Sequence, residues 1–206
     1  MNAVTRSTEA EGGRAVRAVE RNRRAQPNGI WGVILLIATE ATLLLAIVGA
    51  YWYLRFQSTQ WPPRGVPSPS VALPFVLLGV LLLTSVPMAL AAAATKAGRV
   101  GPTRALLVLA LLLQAGYLAV QIILLRKDLL DFSPAATAYG SVYFTMIVAH
   151  HAHVVIGLLL DVGILVKLTG GLTDYRAVGV RAIALYWHFV NLTAIVVVLT
   201  QVAPSL

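Results

Sequence analysis

Five apolar stretches, each about as long as a membrane is thick, constrain this chain more than any other feature. An α-helix rises about 1.5 Å per residue, so roughly 20 apolar residues cross a bilayer core. The stretches cover residues 30–54, 73–94, 105–125, 136–166 and 182–202. They are too long for soluble strands and too evenly apolar for helices with one wet face. In lipid every backbone polar group must be satisfied internally, and a helix does this within one segment. The expected fold is therefore all-α, a polytopic membrane protein built as a bundle of five transmembrane helices over residues 30–206. The fourth stretch is long enough to tilt or to extend past the bilayer. Pro74 suits a first helical turn, whereas Pro87 is expected to kink the second helix.

Composition removes several function classes. Charged residues make up 12% of the chain and hydrophobic residues 58%, against about 25% charged in a soluble domain. This make-up argues against a water-soluble enzyme, because too few charges are present to coat its surface. The absence of cysteine excludes disulfides, thiolate nucleophiles and cysteine-held metal centres. The net charge of +8 lies outside the apolar runs, so it reports membrane topology and not nucleic-acid binding.

Residues 1–29 are polar, rich in Arg and Glu, and lack the apolar core of a signal peptide. They read as a disordered cytoplasmic tail. Arg21, Arg23 and Arg24 stand just before the first span, as a topology anchor or as a contact to anionic head groups. Six Lys and Arg fall in the tail, three around Lys96–Arg104 and three in Lys167–Arg181. The opposite loops hold only Arg55, Arg64, Arg126 and Lys127. This bias places the N-terminus in the cytoplasm and the C-terminus outside. Trp31, Tyr51-Trp52-Tyr53 and Tyr186-Trp187 are expected to anchor the helices at the interfaces. No internal repeat is visible, and an odd number of spans argues against a simple two-fold transporter.

Ionisable groups at mid-membrane are costly and each needs an account. Glu40 sits about ten residues, or roughly 15 Å, into the first stretch. It must be protonated, paired, or turned to a polar cavity. His150 and His153 share a helix face and lie at a matching depth. A Glu40–histidine bridge between the first and fourth helices is the economical expectation, either as a fastening or as a proton-active link. His151 points to another face and reads as a packing residue. Asp161 follows on roughly the face of His153, as an interfacial carboxylate bonded to a neighbouring helix. His188 and Asn191, three apart, are expected to bond between helices. Gln114 and Gln121, seven apart, mark a protein-facing stripe. Gly49, Gly79, Gly116 and Gly157 would permit close helix approach.

No glycine-rich phosphate loop precedes a lysine, and no carboxylate cluster suits magnesium or calcium. A haem held by two histidines is conceivable, but His188 lies nearer the cytoplasmic edge than His150 and His153. An ion-coupled transporter using Glu40 and the histidines is a further alternative.

Several motifs together resemble a known family. Trp31 to Arg55 (WGVILLIATEATLLLAIVGAYWYLR) is similar to the first helix of the five-helix cytochrome oxidase subunit III family. Glu40 falls on its buried Glu, and Tyr53-Leu54-Arg55 on its helix ending. Trp61-Pro62-Pro63 with Gly65 resembles its WPP-x-G loop. Tyr139-Gly140-Ser141 with Tyr143-Phe144 resembles its YGS-x-FF segment. His150-His151-Ala152-His153-Val154 falls on H-x-x-H-V, and Tyr186-Trp187-His188-Phe189-Val190 on its terminal YWHFV. The matches run in order from Trp31 almost to the C-terminus. Asn191 replaces the expected Asp, Ala194 and Ile195 stand where a tryptophan is usual, and the family's Q-x-x-E-Y is reduced to Gln121.

The resemblance implies a subunit with no catalytic residue, metal or redox centre of its own. It would bind subunit I of a haem–copper oxidase directly, with subunit II and small subunits nearby. Haem and copper would sit in those partners, and phospholipid would bind this chain. Its duty would be to support stability, lipid binding and proton uptake while subunit I reduces oxygen. Glu40, His150 and His153 would form its buried polar cluster. Asp161, His188, Asn191, Gln114, Gln121, Trp61 and Arg55 would mark helix contacts or lipid. Longer relatives carry two further N-terminal helices, so their lipid cleft would here be absent or completed by another chain. The family also has relatives in quinol oxidases and beside nitric oxide reductases. A bacterial or archaeal plasma membrane is the expected location.

Overall fold

The computed structural model describes residues 28–205, so the expectations for the tail and for Arg21, Arg23 and Arg24 fall outside the described residues. Among the described residues six α-helices follow one another: α1 (Asn28–Gln57), α2 (Ala72–Leu83), α3 (Ser85–Lys96), α4 (Val100–Asp131), α5 (Ala138–Leu168) and α6 (Asp174–Val202). With α2 and α3 read as one broken helix, five helices among the described residues are long and apolar enough to cross a membrane.

α6 is the hub. It packs against α1, α2, α3 and α5, while α4 lies across α3 and α5. In its most apolar window 61% of α6 is buried, against 6% for α1, which rests only on α5 and α6. α1 thus leaves most of its surface to lipid or to another chain.

Local chemistry sets the helix ends. Thr137 begins α5 by accepting from Gly140 N at 3.0 Å, and Thr173 begins α6 by accepting from Arg176 N at 3.3 Å. Each threonine satisfies one of the free N–H groups of a first turn. At the end of α3, Gly98 takes φ +69°, Arg99 N donates to Ala94 O and Gly98 N to Thr95 O. This left-handed stop favours glycine, which has no Cβ to clash. α4 runs to Asp131, past the apolar stretch, because Tyr143 of α5 holds Asp128 at 2.7 Å.

The helix break falls at Thr84, three residues before Pro87. Proline has no N–H for Leu83 O and its ring crowds that carbonyl. Thr84 turns instead, its N and Oγ1 both donating to Leu81 O at 3.0 and 2.6 Å. Pro74 lies in the first turn of α2.

Two other expectations need correction. Tyr51, Tyr186 and Trp187 do not anchor the helices at an interface; all three are buried inside the bundle. Aromatic residues carry large apolar area, and here neighbouring helices claim it before the interface does. Trp31 and Tyr53 do lie on the outer surface. Among the glycines singled out, only Gly157 meets a close neighbour: a Cβ there would lie 2.7 Å from Trp187 Cζ2. Gly49, Gly79 and Gly116 face open space.

Candidate functional site

Glu40 and His153 meet across the α1–α5 contact, with Oε2 2.6 Å from Nε2. His153 is buried, and the Glu40 side chain keeps 26% of its surface. The other imidazole nitrogen, Nδ1, lies 2.6 Å from Ala149 O. A carbonyl only accepts, so Nδ1 carries a proton. Neutral His153 would then face Glu40 with a bare lone pair at Nε2. Two facing acceptors at this distance would repel, so one proton occupies the link. The pair is either imidazolium with carboxylate or imidazole with carboxylic acid, and its net charge is zero in both forms. That is how a carboxylate is tolerated at mid-membrane. Tyr186 Oη donates to His153 O at 3.1 Å and so ties α6 to the same point.

His150 does not join this pair, contrary to the expectation of a three-residue cluster. It stands three residues before His153 and meets α6 instead. His150 Nδ1 lies 3.5 Å from Thr193 Oγ1 of α6. Thr193 spends its own proton on Val190 O at 2.9 Å, so His150 Nδ1 is the donor. His150 Nε2 is then a bare acceptor, buried and with no partner among the described residues.

His151 is more than a packing residue. Its Nδ1 donates to Ile147 O at 2.7 Å, which leaves Nε2 to accept from Tyr117 Oη at 3.4 Å. The two rings stack, with centroids 5.9 Å apart. Gln121 donates to the same Tyr117 oxygen at 3.3 Å. An i, i+4 pairing of Tyr117 and Gln121 was available in the sequence as a signal for this chain.

A second buried carboxylate, Asp161, is fully enclosed in the bundle and bonded to a neighbouring helix. Trp187 Nε1 donates to its Oδ2 at 2.8 Å. The Gln114 amide, turned with its NH2 inward, donates to the same oxygen at 2.8 Å and to Ala110 O at 3.2 Å. α4, α5 and α6 are thereby joined at one atom. Gly157 stands one turn before Asp161, and its missing Cβ leaves the room that the Trp187 indole occupies.

Asn191 meets the helix break. Its Nδ2 donates to Ser85 Oγ at 2.6 Å and approaches Thr84 Oγ1 at 3.4 Å. His188, on the exposed side, lies 3.4 Å from Ser85 Oγ. The break and Asn191 belong together: the interrupted ladder presents hydroxyls where an amide can reach them.

Trp61 packs edge-on to Tyr51 and Tyr139, at centroid distances of 5.3 and 4.9 Å. Phe132, Tyr143 and Phe144 extend this group, which closes one end of the bundle. Arg55 ends α1 half-buried, where its charge suits the helix C-terminus. Asp128, Tyr143 and Gln201 form a further chain that sequence reading missed, Gln201 donating to Tyr143 Oη at 3.0 Å.

These contacts join helices in pairs and triads. Among the described residues no three His, Asp or Glu groups stand where they could hold a metal ion. His151 and His153 have both ring nitrogens engaged, so neither offers iron a lone pair without losing an existing bond.

Comparison with known proteins matches residues 18–202 to the family described as cytochrome c oxidase subunit III. The cytochrome c oxidase subunit 3 of Gallus gallus is 31% identical over 169 residues, covering 79% of this chain and 64% of that protein. The cytochrome bo(3) ubiquinol oxidase subunit 3 of Pseudomonas aeruginosa is 28% identical, covering 82% of each chain. The cytochrome c oxidase subunit 3 of Synechocystis is 27% identical over 81% of this chain. The chain thus spans 64% of the length of the avian relatives.

Proposed function

The chain belongs to the cytochrome c oxidase subunit III family, and from that premise we propose that it is a supporting subunit of a haem–copper terminal oxidase. Oxygen reduction takes place in subunit I, which carries haem and copper together with subunit II. This chain binds subunit I directly and contributes stability, lipid binding and proton uptake. It carries no redox centre and no catalytic residue.

One observation supports this most: the intramembrane polar groups join helices in pairs and triads. Glu40–His153 links α1 to α5, Asp161 links α4, α5 and α6, and Asn191 links α6 to the broken second span. Groups committed in this way hold a scaffold in shape. The α1 face that the bundle leaves uncovered offers area for subunit I or for phospholipid. The orientation follows the positive charge, with the N-terminus in the cytoplasm of a bacterial or archaeal plasma membrane. A ubiquinol-oxidising complex is a second reading for the electron donor, favoured by the equal coverage of this chain and the Pseudomonas aeruginosa protein.

The test is oxygen consumption over time by the intact complex and by complex stripped of this chain, at pH 6.5 and 8. Initial turnover should remain largely intact in the stripped enzyme. Its activity should then decay faster, or proton uptake should slow at the higher pH. Immediate and complete loss, with subunit I folded and haem-loaded, would sink the supporting role.

A further inference from the structure

Between α2, α4, α5 and α6 lies a cavity of about 180 Å³ that none of the helix-fastening contacts explains. Its mouth is at the end of the bundle that carries the C-terminus, where Ser68, Ser70, Asp128 and Asp131 line it. Its floor is formed by His150 and His151. Asp131 and Tyr117, both lining residues on α4, are separated by about 20 Å at 1.5 Å per residue. The cavity therefore runs from a surface loop to the middle of the span.

The walls carry two directed hydrogen-bond chains. On one, Gln201 donates to Tyr143, which donates to Asp128. On the other, Gln121 donates to Tyr117, which donates to His151. Both leave oxygen lone pairs free to receive further donors. Behind the floor, His150 Nε2 is buried with no hydrogen-bond partner among the described residues. A buried acceptor left unmatched is costly, and a polar cavity with several partners is where ordered water resides. The volume has room for several waters.

We infer that this cavity is a water-filled inlet, open on the outer side of the membrane and ending at His150. Its ligand is a chain of water molecules hydrogen-bonded along the Tyr143–Asp128 and Tyr117–His151 walls. The inlet gives outer-side water and hydrated protons access to mid-membrane depth, apart from the Glu40–His153 pair. The outer side is assigned from the proposed orientation, and the reading does not depend on which oxidase the chain serves.

Because the chain has no cysteine, introduced cysteines report without background on this subunit. In the assembled complex, Gln201→Cys probes the upper wall and Ile147→Cys, one turn from His150, probes the floor. Val162→Cys on the lipid side is the control. A charged, membrane-impermeant methanethiosulfonate is applied to right-side-out and to inside-out vesicles. The water-sized silver ion, read as protection from later maleimide labelling after denaturation, reaches the floor. Gln201→Cys should react from the outer side more than about tenfold faster than Val162→Cys, since lipid excludes charged reagent. Silver should protect Ile147→Cys from the same side. Reaction at neither position, reaction at Gln201→Cys alone, or reaction only from the cytoplasmic side would each overturn the inlet. If Ile147→Cys does not assemble, Leu124→Cys on the α4 wall takes its place under the same criteria.

Discussion

Glu40 Oε2 and His153 Nε2 lie 2.6 Å apart across 113 residues of sequence, and one proton occupies the space between them. The Ala149 carbonyl decides this, because it obliges His153 Nδ1 to be the donor. Glu40→Gln should therefore be mild, since a glutamine amide still donates to a neutral His153. Glu40→Leu should cost about 1–3 kcal/mol, because it strands a buried acceptor. Thermal denaturation of the solubilised complex measures both. Equal damage from the two would mean that ionisation of Glu40, and not its hydrogen bond, is what the subunit needs.

Gly157→Ala should destabilise the α5–α6 contact. The added Cβ would sit 2.7 Å from a ring carbon of Trp187, an indole already fully buried and bonded to Asp161. Such overpacking costs about 1–3 kcal/mol. Gly116→Ala, where nothing lies within 4 Å, should be neutral and serves as the control. A melting temperature unchanged in Gly157→Ala would refute the contact.

Asp161 Oδ2 receives two donors, so its partners should be coupled. Trp187→Phe and Gln114→Leu each remove one of them. A double-mutant cycle should give an interaction energy of about 0.5–3 kcal/mol. Strict additivity of the two losses would show that the shared carboxylate does not connect α4 and α6.

Asn191→Leu should loosen α6 from the helix break. It removes the 2.6 Å bond to Ser85, and interhelical hydrogen bonds in membranes are worth about 0.6 kcal/mol, rarely near 2. Ser85→Ala should produce a similar loss, and adding it to Asn191→Leu should change little further. Protease sensitivity near residues 84–87 is the direct readout. If it fails to rise in either variant, the break does not rely on Asn191.

Gly140→Ala should impair assembly more than the other changes. A Cβ at Gly140 would meet the backbone oxygen of Ser133 at 2.6 Å, and backbone gives way less readily than a side-chain tip. The yield of the subunit in mild detergent, compared with that of Ser141→Ala, tests this. Equal yields would show that the loop accommodates the methyl group.

The sequence by itself determined the number of spans, since lipid forces each apolar segment to satisfy its backbone as a helix. It also determined depth, because position along a helix is only residue count times rise; that is why Glu40 and His153 could be matched before either was placed. Rotation about each helix axis was decided only by the tertiary structure. In water, polar and apolar faces tell a helix which side turns inward. In lipid, both the outside and the inside of the bundle are apolar, and that contrast is lost. Hence sequence reading grouped His150 with His153 and sent Tyr186 and Trp187 to the interface. Packing of α5 on α1 and α6 instead gave Glu40 to His153, turned His150 to Thr193, and enclosed Trp187 with Asp161. Those choices depend on how side chains of different helices interlock, which no single helix carries in its own sequence.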